Sequence, residues 1–135
     1  MENIVRVGVG VIVVKDKKIL LGERIGSHGS NTWSLPGGHM EFFEEINETA
    51  KREVKEETSL NICNIQTVGF TNDIFMDETK HYITLFVKAD YESGVLRRME
   101  PDKCLEWKWF DTDNLPQPLF LPLQNFINEN PEFKI

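Results

Sequence analysis

The stretch GGHMEFFEEINETAKREVKEETSL, Gly37 to Leu60, decides how the chain is read. Past its opening turn it has helical spacing, and a helix is expected from about Glu44 to Thr58. Ile46, Ala50 and Val54 recur every fourth residue, the apolar stripe of a helix that packs on a core. Glu53 and Glu57 fall on that same stripe, and Glu56 flanks it. A single glutamate here would be an ordinary surface residue, since Glu is a good helix former. At i, i+3 and i+4, however, the three share one face and repel one another. Carboxylates that water cannot reach are costly unless a positive charge sits among them. A hard divalent cation meets that need, because Mg²⁺ takes oxygen ligands at about 2.0–2.1 Å. The helix is therefore read as packing with its first half and holding metal with its second.

On either side of the helix lie strands. IVRVGVGVIVV is rich in β-branched residues, and KDKK is a tight polar turn into ILLGERI, which together predict a hairpin. A Gly/Ser loop, GSHGSNT, leads into WSLPGGHMEF, where Pro36-Gly37-Gly38 is expected to be a turn with accessible backbone amides and carbonyls. After the helix, NICNIQTVGFTNDIF and HYITLFVKADYE are long strand-like runs separated by the acidic turn MDETK. LEWKWFD alternates as a strand, and PLFLPLQNFINEN starts a C-terminal helix led by proline. This order predicts an α/β chain with a mixed sheet and helices on its faces.

Composition sets the outer bounds. The chain has 135 residues, enough for one core, and residues 1–135 are read as a single domain. Its formal net charge is −7, which argues against a broad grip on a nucleic-acid polymer. An anionic substrate would need cations to bridge it to the protein. The two cysteines, Cys63 and Cys104, have no metal-ligand spacing and read as small buried or loop residues in a reducing compartment. The N-terminal MENIVRVGVGVIVVKD lacks the pattern of a cleaved leader, and no apolar run reaches membrane-spanning length. A cytoplasmic protein with no membrane partner is expected.

Gly38, Glu44 and the run REVKEETSL from Arg52 to Leu60 resemble the Nudix box, G-x5-E-x7-R-E-U-x-E-E-x-G-U with U apolar. The one departure among its fixed positions is Ser59, where the family has a glycine suited to a left-handed helix C-cap. The likeness extends over roughly Val5 to Phe126, and VGVGVIVV, LLGERIGSHGS, LPGGHMEF and MEPDKCLEWKWFD are similar to the MutT-like branch. The resemblance implies the Nudix fold, an α/β/α sandwich around a mixed β-sheet. It also implies Mg²⁺-dependent hydrolysis of a diphosphate, with Mn²⁺ as an alternative ion.

Carried over residue by residue, the resemblance assigns Glu53, Glu56, Glu57 and the Gly37 carbonyl to the metal. Glu53 is also the candidate to activate water. Arg52 and Glu44 form a supporting ion pair that fixes the helix against its loop, the alternative being a solvated surface bridge. Glu100 matches a loop acid that joins the metal site in relatives; otherwise it is a plain loop residue. For the substrate, Arg24 matches a phosphate-contacting position and His39 a neighbour of phosphate or base, against strand-end and loop-packing readings. Leu119, Phe120 and Leu121 match a base-pocket wall, against a plain core stripe. Ser34 lies near that pocket, and Trp33, Trp107 and Trp109 are assigned to packing.

Other motifs fail. GVGVIV lacks the third glycine of a dinucleotide fingerprint, His39-Met40-Glu41 has no partner P-C-x-x-C, and His28, His39 and His81 have no zinc spacing. Within the family, the segment FTNDIFMDETK lacks the proline of the ADP-ribose branch and the tyrosine of the dinucleoside-polyphosphate branch. The expectation is a nucleoside-triphosphate diphosphatase, acting on a small nucleotide, damaged or modified ones included, and releasing pyrophosphate and a monophosphate. An isoprenyl-diphosphate hydrolase and a non-catalytic nucleotide-binding module are the alternatives. A homodimer is admitted by analogy.

Overall fold

In the run VRVGVGVIVVK both alternating sets of side chains are covered: Val9, Val11 and Val13 enter one core and Ile12 another. A strand buried on both faces belongs in the middle of a sheet with cover on each side. The protein was studied as a computed structural model, which describes residues 3–26 and 28–135. Met1 and Glu2, where the N-terminal segment begins, and Ser27 of the Gly/Ser loop lie outside the described residues.

The elements run β1 (Val5–Lys15), β2 (Lys18–Arg24), β3 (Trp33–Ser34), β4 (Gly37–His39), α1 (Ile46–Thr58), β5 (Asn61–Phe75), β6 (Lys80–Ser93), β7 (Cys104–Asp111) and α2 (Leu121–Glu129). β1 pairs in parallel with β6 from Val5↔His81 to Val14↔Asp90, and β6 pairs antiparallel with β5. The other edge of β1 is shared. Its first half pairs with β4 at Gly8↔His39, and its end pairs with β2 at Val14↔Ile19. β2 also carries β3 and β7, both antiparallel. The sheet is therefore mixed, as its sequence order suggests.

The β1–β2 hairpin turns on Asp16 and Lys17, both at positive φ (51° and 65°). Two such residues give a turn whose twist matches that of the strands. The two helices cover opposite faces. Ala50 and Val54 of α1 join Val9, Val11, Val13, Leu20, Leu60 and Val87 in one cluster. Leu123 and Phe126 of α2 join Ile12, Ile19, Leu21, Leu35 and Phe86 in the other, where the Phe86 and Phe126 rings stack at 4.5 Å. The result is the α/β/α arrangement, and both cores are built on β1.

Two local expectations are corrected. Gly37 and Gly38, expected in a turn, form most of β4 and pair with β1. Only glycine fits at 37, where a Cβ would lie 2.0 Å from the Val9 carbonyl oxygen, and a Cβ at 38 would lie 2.5 Å from the Glu53 carboxyl carbon and displace that side chain. The helix also begins at Ile46, two residues later than expected, because the Glu44 carboxylate accepts the Glu41 amide (2.9 Å) outside it. The Glu48 carboxylate accepts the Glu45 amide (2.8 Å) and closes the helix start.

At its other end Ser59 takes the left-handed conformation (φ 68°), its amide donating to the Lys55 carbonyl at 3.0 Å. A left-handed non-glycine residue costs roughly 1 kcal/mol. Ser59→Gly should therefore raise the unfolding free energy by about 0.5–1 kcal/mol in urea titrations, and Ser59→Val should lower it. A destabilised glycine variant would mean that the Ser59 side chain contributes something the backbone geometry does not reveal.

Candidate active site

The second half of α1 carries the carboxylates, and a single guanidinium organises them. Arg52 donates to Glu44 through Nε (2.6 Å) and Nη2 (3.0 Å) and to Glu53 through Nη1 (2.6 Å). It reaches Glu56 at 3.5 Å, Glu41 at 3.3 Å and the His39 carbonyl at 3.0 Å. Glu44 also accepts the Thr49 hydroxyl (2.7 Å), so its carboxylate is fully engaged. The Arg52 hydrogen bonds, then those from Thr49 and the Glu41 amide, hold Glu44 down at about 2. Its hydrogen bond to Glu44 outweighs desolvation and raises the Arg52 pKa further. The pair joins the loop before α1 to the body of the helix.

Glu53 and Glu57 face inward beside β4. Burial raises the Glu53 pKa; Arg52 opposes the rise, while Glu56 and Glu100 add to it. Glu57 accepts the Gly37 amide at 2.9 Å. Burial pushes Glu57 up to about 8 despite that bond, with Glu53 and Glu100 contributing repulsion. Glu100, from the loop between β6 and β7, is thus close enough to be felt by both helix glutamates. Its own turn is closed by the Lys103 amide donating to the Glu100 carbonyl at 3.0 Å.

These acids form one end of a cleft of about 630 Å³. Gly37, Gly38, Glu53, Glu56, Glu57 and Glu100 line that end. Aromatic residues line the other. The Arg24 guanidinium lies 4.1 Å over the Phe120 ring and donates to the His28 carbonyl at 3.1 Å. Burial lowers the Arg24 pKa, and Glu57 and Glu78 partly restore it. The His28 ring packs against Phe75 (4.6 Å), Phe120 (5.3 Å) and Tyr82 (6.0 Å), and its Nδ1 meets the Glu78 carboxylate. His39 pairs Nε2 with the Tyr82 hydroxyl at 3.1 Å. Desolvation first, then the positive charges of Arg6 and Lys80, lower its pKa.

Arg24, His39, Phe120 and Ser34 therefore share the cleft with the acidic cluster. Leu119 does not face it: that residue is 8% exposed and packs in the α2-side core. Leu121 opens α2 outside the cleft lining. Of the tryptophans, Trp107 lines the cleft while also packing against the α1-side core, and Trp33 packs edge-on against Phe110 at 5.2 Å. Cys104 borders the cleft with its thiol pushed up to about 11 by burial. His28, Phe75, Tyr82 and Thr84 escaped the sequence reading. The parallel β1–β6 register sets Gly8 beside Thr84 and Gly10 beside Phe86. Alternating glycines in a strand mark close approach, and that signal was present in VGVGV.

The donor set suits a hard divalent cation: all-oxygen, anionic and partly desolvated. Among the described residues no three Asp, Glu, His or Cys side chains converge on one point. Glu53 is turned onto Arg52 and Glu57 onto the Gly37 amide, and an ion held by these two carboxylates would replace those hydrogen bonds.

Residues 5–129 match the model of the NUDIX domain. An ADP-ribose pyrophosphatase of Methanocaldococcus jannaschii is 34% identical over 84% of this chain. An oxidized purine nucleoside triphosphate hydrolase of Danio rerio is 31% identical over 78%. The matched part is 66% of each of these two proteins. Among solved structures, a MutT NUDIX hydrolase from Burkholderia pseudomallei superposes with a TM-score of 0.81 at 32% identity, covering 85% of this chain and 89% of that one.

The raised pKa of Glu57 makes stability depend on pH. Folded Glu57 holds its proton more tightly than the unfolded carboxyl (4.5), so its destabilising effect is absent below about pH 4.5 and complete above about 8. Metal-free protein should lose a few kcal/mol across that window through this group. Glu57→Gln should flatten the slope in denaturant titrations taken at each pH. An unchanged slope would show that Glu57 is not the group responsible.

Proposed function

The chain belongs to the NUDIX domain family of hydrolases, and from that premise we propose that it cleaves nucleoside triphosphates, damaged or modified ones included, to a monophosphate and pyrophosphate with Mg²⁺. One observation carries the reading: a single cleft joins an all-oxygen acidic end to an aromatic end bearing a buried arginine. A diphosphate between a metal ion and a base needs both ends. The name of the Danio rerio relative supports this substrate class.

Glu53, Glu56, Glu57, Glu100 and the Gly37 carbonyl would hold the ion, with Mn²⁺ able to replace Mg²⁺. When bound, the ion neutralises diphosphate oxygens and lowers the pKa of its water. Glu53, at the acidic end of the cleft beside Gly38, accepts the proton of the attacking water. Arg52 positions Glu53 and Glu56, and Glu44 holds Arg52. Arg24 and His39 meet phosphate oxygens, Arg24 without the heavy hydration of an exposed cation. Phe120, with His28, Phe75 and Tyr82, encloses the base, while Leu119 packs in the core next to that wall.

A second reading has its own observation. Phe75, Phe86, Phe120 and Leu123 make much of the far end apolar, which would also suit the chain of an isoprenyl diphosphate. The preserved acidic cluster speaks against a module that only binds nucleotide. A homodimer rests on analogy, and a cytoplasmic site on the two free cysteines. No helix among the described residues is long and apolar enough to cross a membrane.

The test is product analysis with Mg²⁺ against canonical and oxidised nucleoside triphosphates, ADP-ribose, dinucleoside polyphosphates and geranyl diphosphate. Pyrophosphate and a monophosphate are expected, and Glu53→Gln and Glu56→Gln should each lower kcat by about a hundredfold or more. Turnover of geranyl diphosphate alone would replace the reading with the second one. Turnover of ADP-ribose alone would move the chain towards the activity named for its Methanocaldococcus relative.

A further inference from the structure

Asp73 has no part in the chemistry above, yet it is fully buried in β5. Its carboxylate accepts hydrogen bonds from three neutral donors: the Thr84 hydroxyl at 2.6 Å, the Thr71 hydroxyl at 2.9 Å and the Asn125 amide at 2.9 Å. A buried acid is a costly way to tie a strand to a helix, since a neutral pair could do so. What a carboxylate adds is direction, because it only accepts. Thr84 has one hydroxyl proton, and Asp73 takes it.

Thr84 also lines the cleft. With its proton committed, its oxygen has only lone pairs left for a ligand. Gly10, Leu35, Phe86 and Leu123 line the same cleft and offer no side-chain hydrogen bond. A substrate group with an N–H aimed at Thr84 gains a hydrogen bond, and a carbonyl or bare ring nitrogen there meets unpaired lone pairs. An isoprenyl chain gains nothing from such an acceptor.

We propose that Thr84, with its hydroxyl proton held by Asp73, determines specificity by selecting nucleotides whose base presents an amino N–H to the cleft. The assignment rests on the nucleotide reading of the site. Thr84 would touch the substrate, and Asp73 would act through it as a positioning residue.

Nucleoside triphosphates that differ by one amino group test this: GTP against ITP, ATP against purine riboside triphosphate, and CTP against 2-pyrimidinone riboside triphosphate. At least one pair should show a kcat/KM preference of about tenfold or more for the amino compound, the size expected when a buried polar group is left unpaired. Thr84→Val should reduce that ratio to about twofold or less, and Thr84→Ser should retain it. Asp73→Asn, whose amide can itself donate to Thr84, should erode or invert it. Thr71→Val removes an Asp73 hydrogen bond away from the cleft, so it should lower stability and leave the ratio unchanged. Equal rates within every pair, or a ratio that survives Thr84→Val, would overturn the assignment while leaving the triphosphatase reading intact. If no triphosphate is cleaved, that reading fails and the assignment fails with it.

Discussion

Several carboxylates on one helix and its preceding loop converge on one arginine, and the site is arranged around that imbalance. Arg52 contacts Glu41, Glu44, Glu53 and Glu56 together. One positive charge cannot satisfy four negative ones, and it does not reach Glu57 at all. Burial raises the pKa values of Glu53 and Glu57, and repulsion from the neighbouring carboxylates adds to the rise. Such a concentration of like charge is what the cation of the proposed reaction would offset. The same constraint explains the glycine pair, since Gly38 must lack a side chain for Glu53 to lie against β4.

The second half of the cleft depends on sheet register. β1 is covered on both faces, but Gly8 and Gly10 leave room on one of them. The parallel pairing with β6 places Tyr82, Thr84 and Phe86 around that room. A slip of one residue would send these side chains to the α1 face. The aromatic end thus owes its position to strand pairing, as the acidic end owes its position to helix periodicity. Asp73 connects this wall to α2 through Asn125, so cleft and core share a polar contact.

The helix, the hairpin, the long β5 and β6 strands and the C-terminal helix were legible because each is a local pattern of period or turn chemistry. So were Glu53, Glu56 and Glu57, whose conflict with their apolar stripe lies within a few residues. β4 was not legible. A three-residue strand of two glycines and a histidine has no pattern of its own and exists because β1 offers an edge. Leu119, Phe120 and Leu121 are consecutive and similar in character, yet only Phe120 lines the cleft. Leu119 bridges to Trp33 and packs in the core, and Leu121 starts α2.

By itself the sequence determined the mixed α/β plan and the acidic helix face, because these are written in spacings of three, four and two residues, and the box from Gly38 to Leu60 carried the family resemblance that implied the sandwich. Only the tertiary structure decided which distant groups meet them. His28 and Tyr82 come from the β2–β3 loop and β6, Glu100 from the loop before β7, and Asp73 from β5. Their spacing along the chain follows no period. What brings them together is the order in which strands pair, a relation between segments that no local stretch contains.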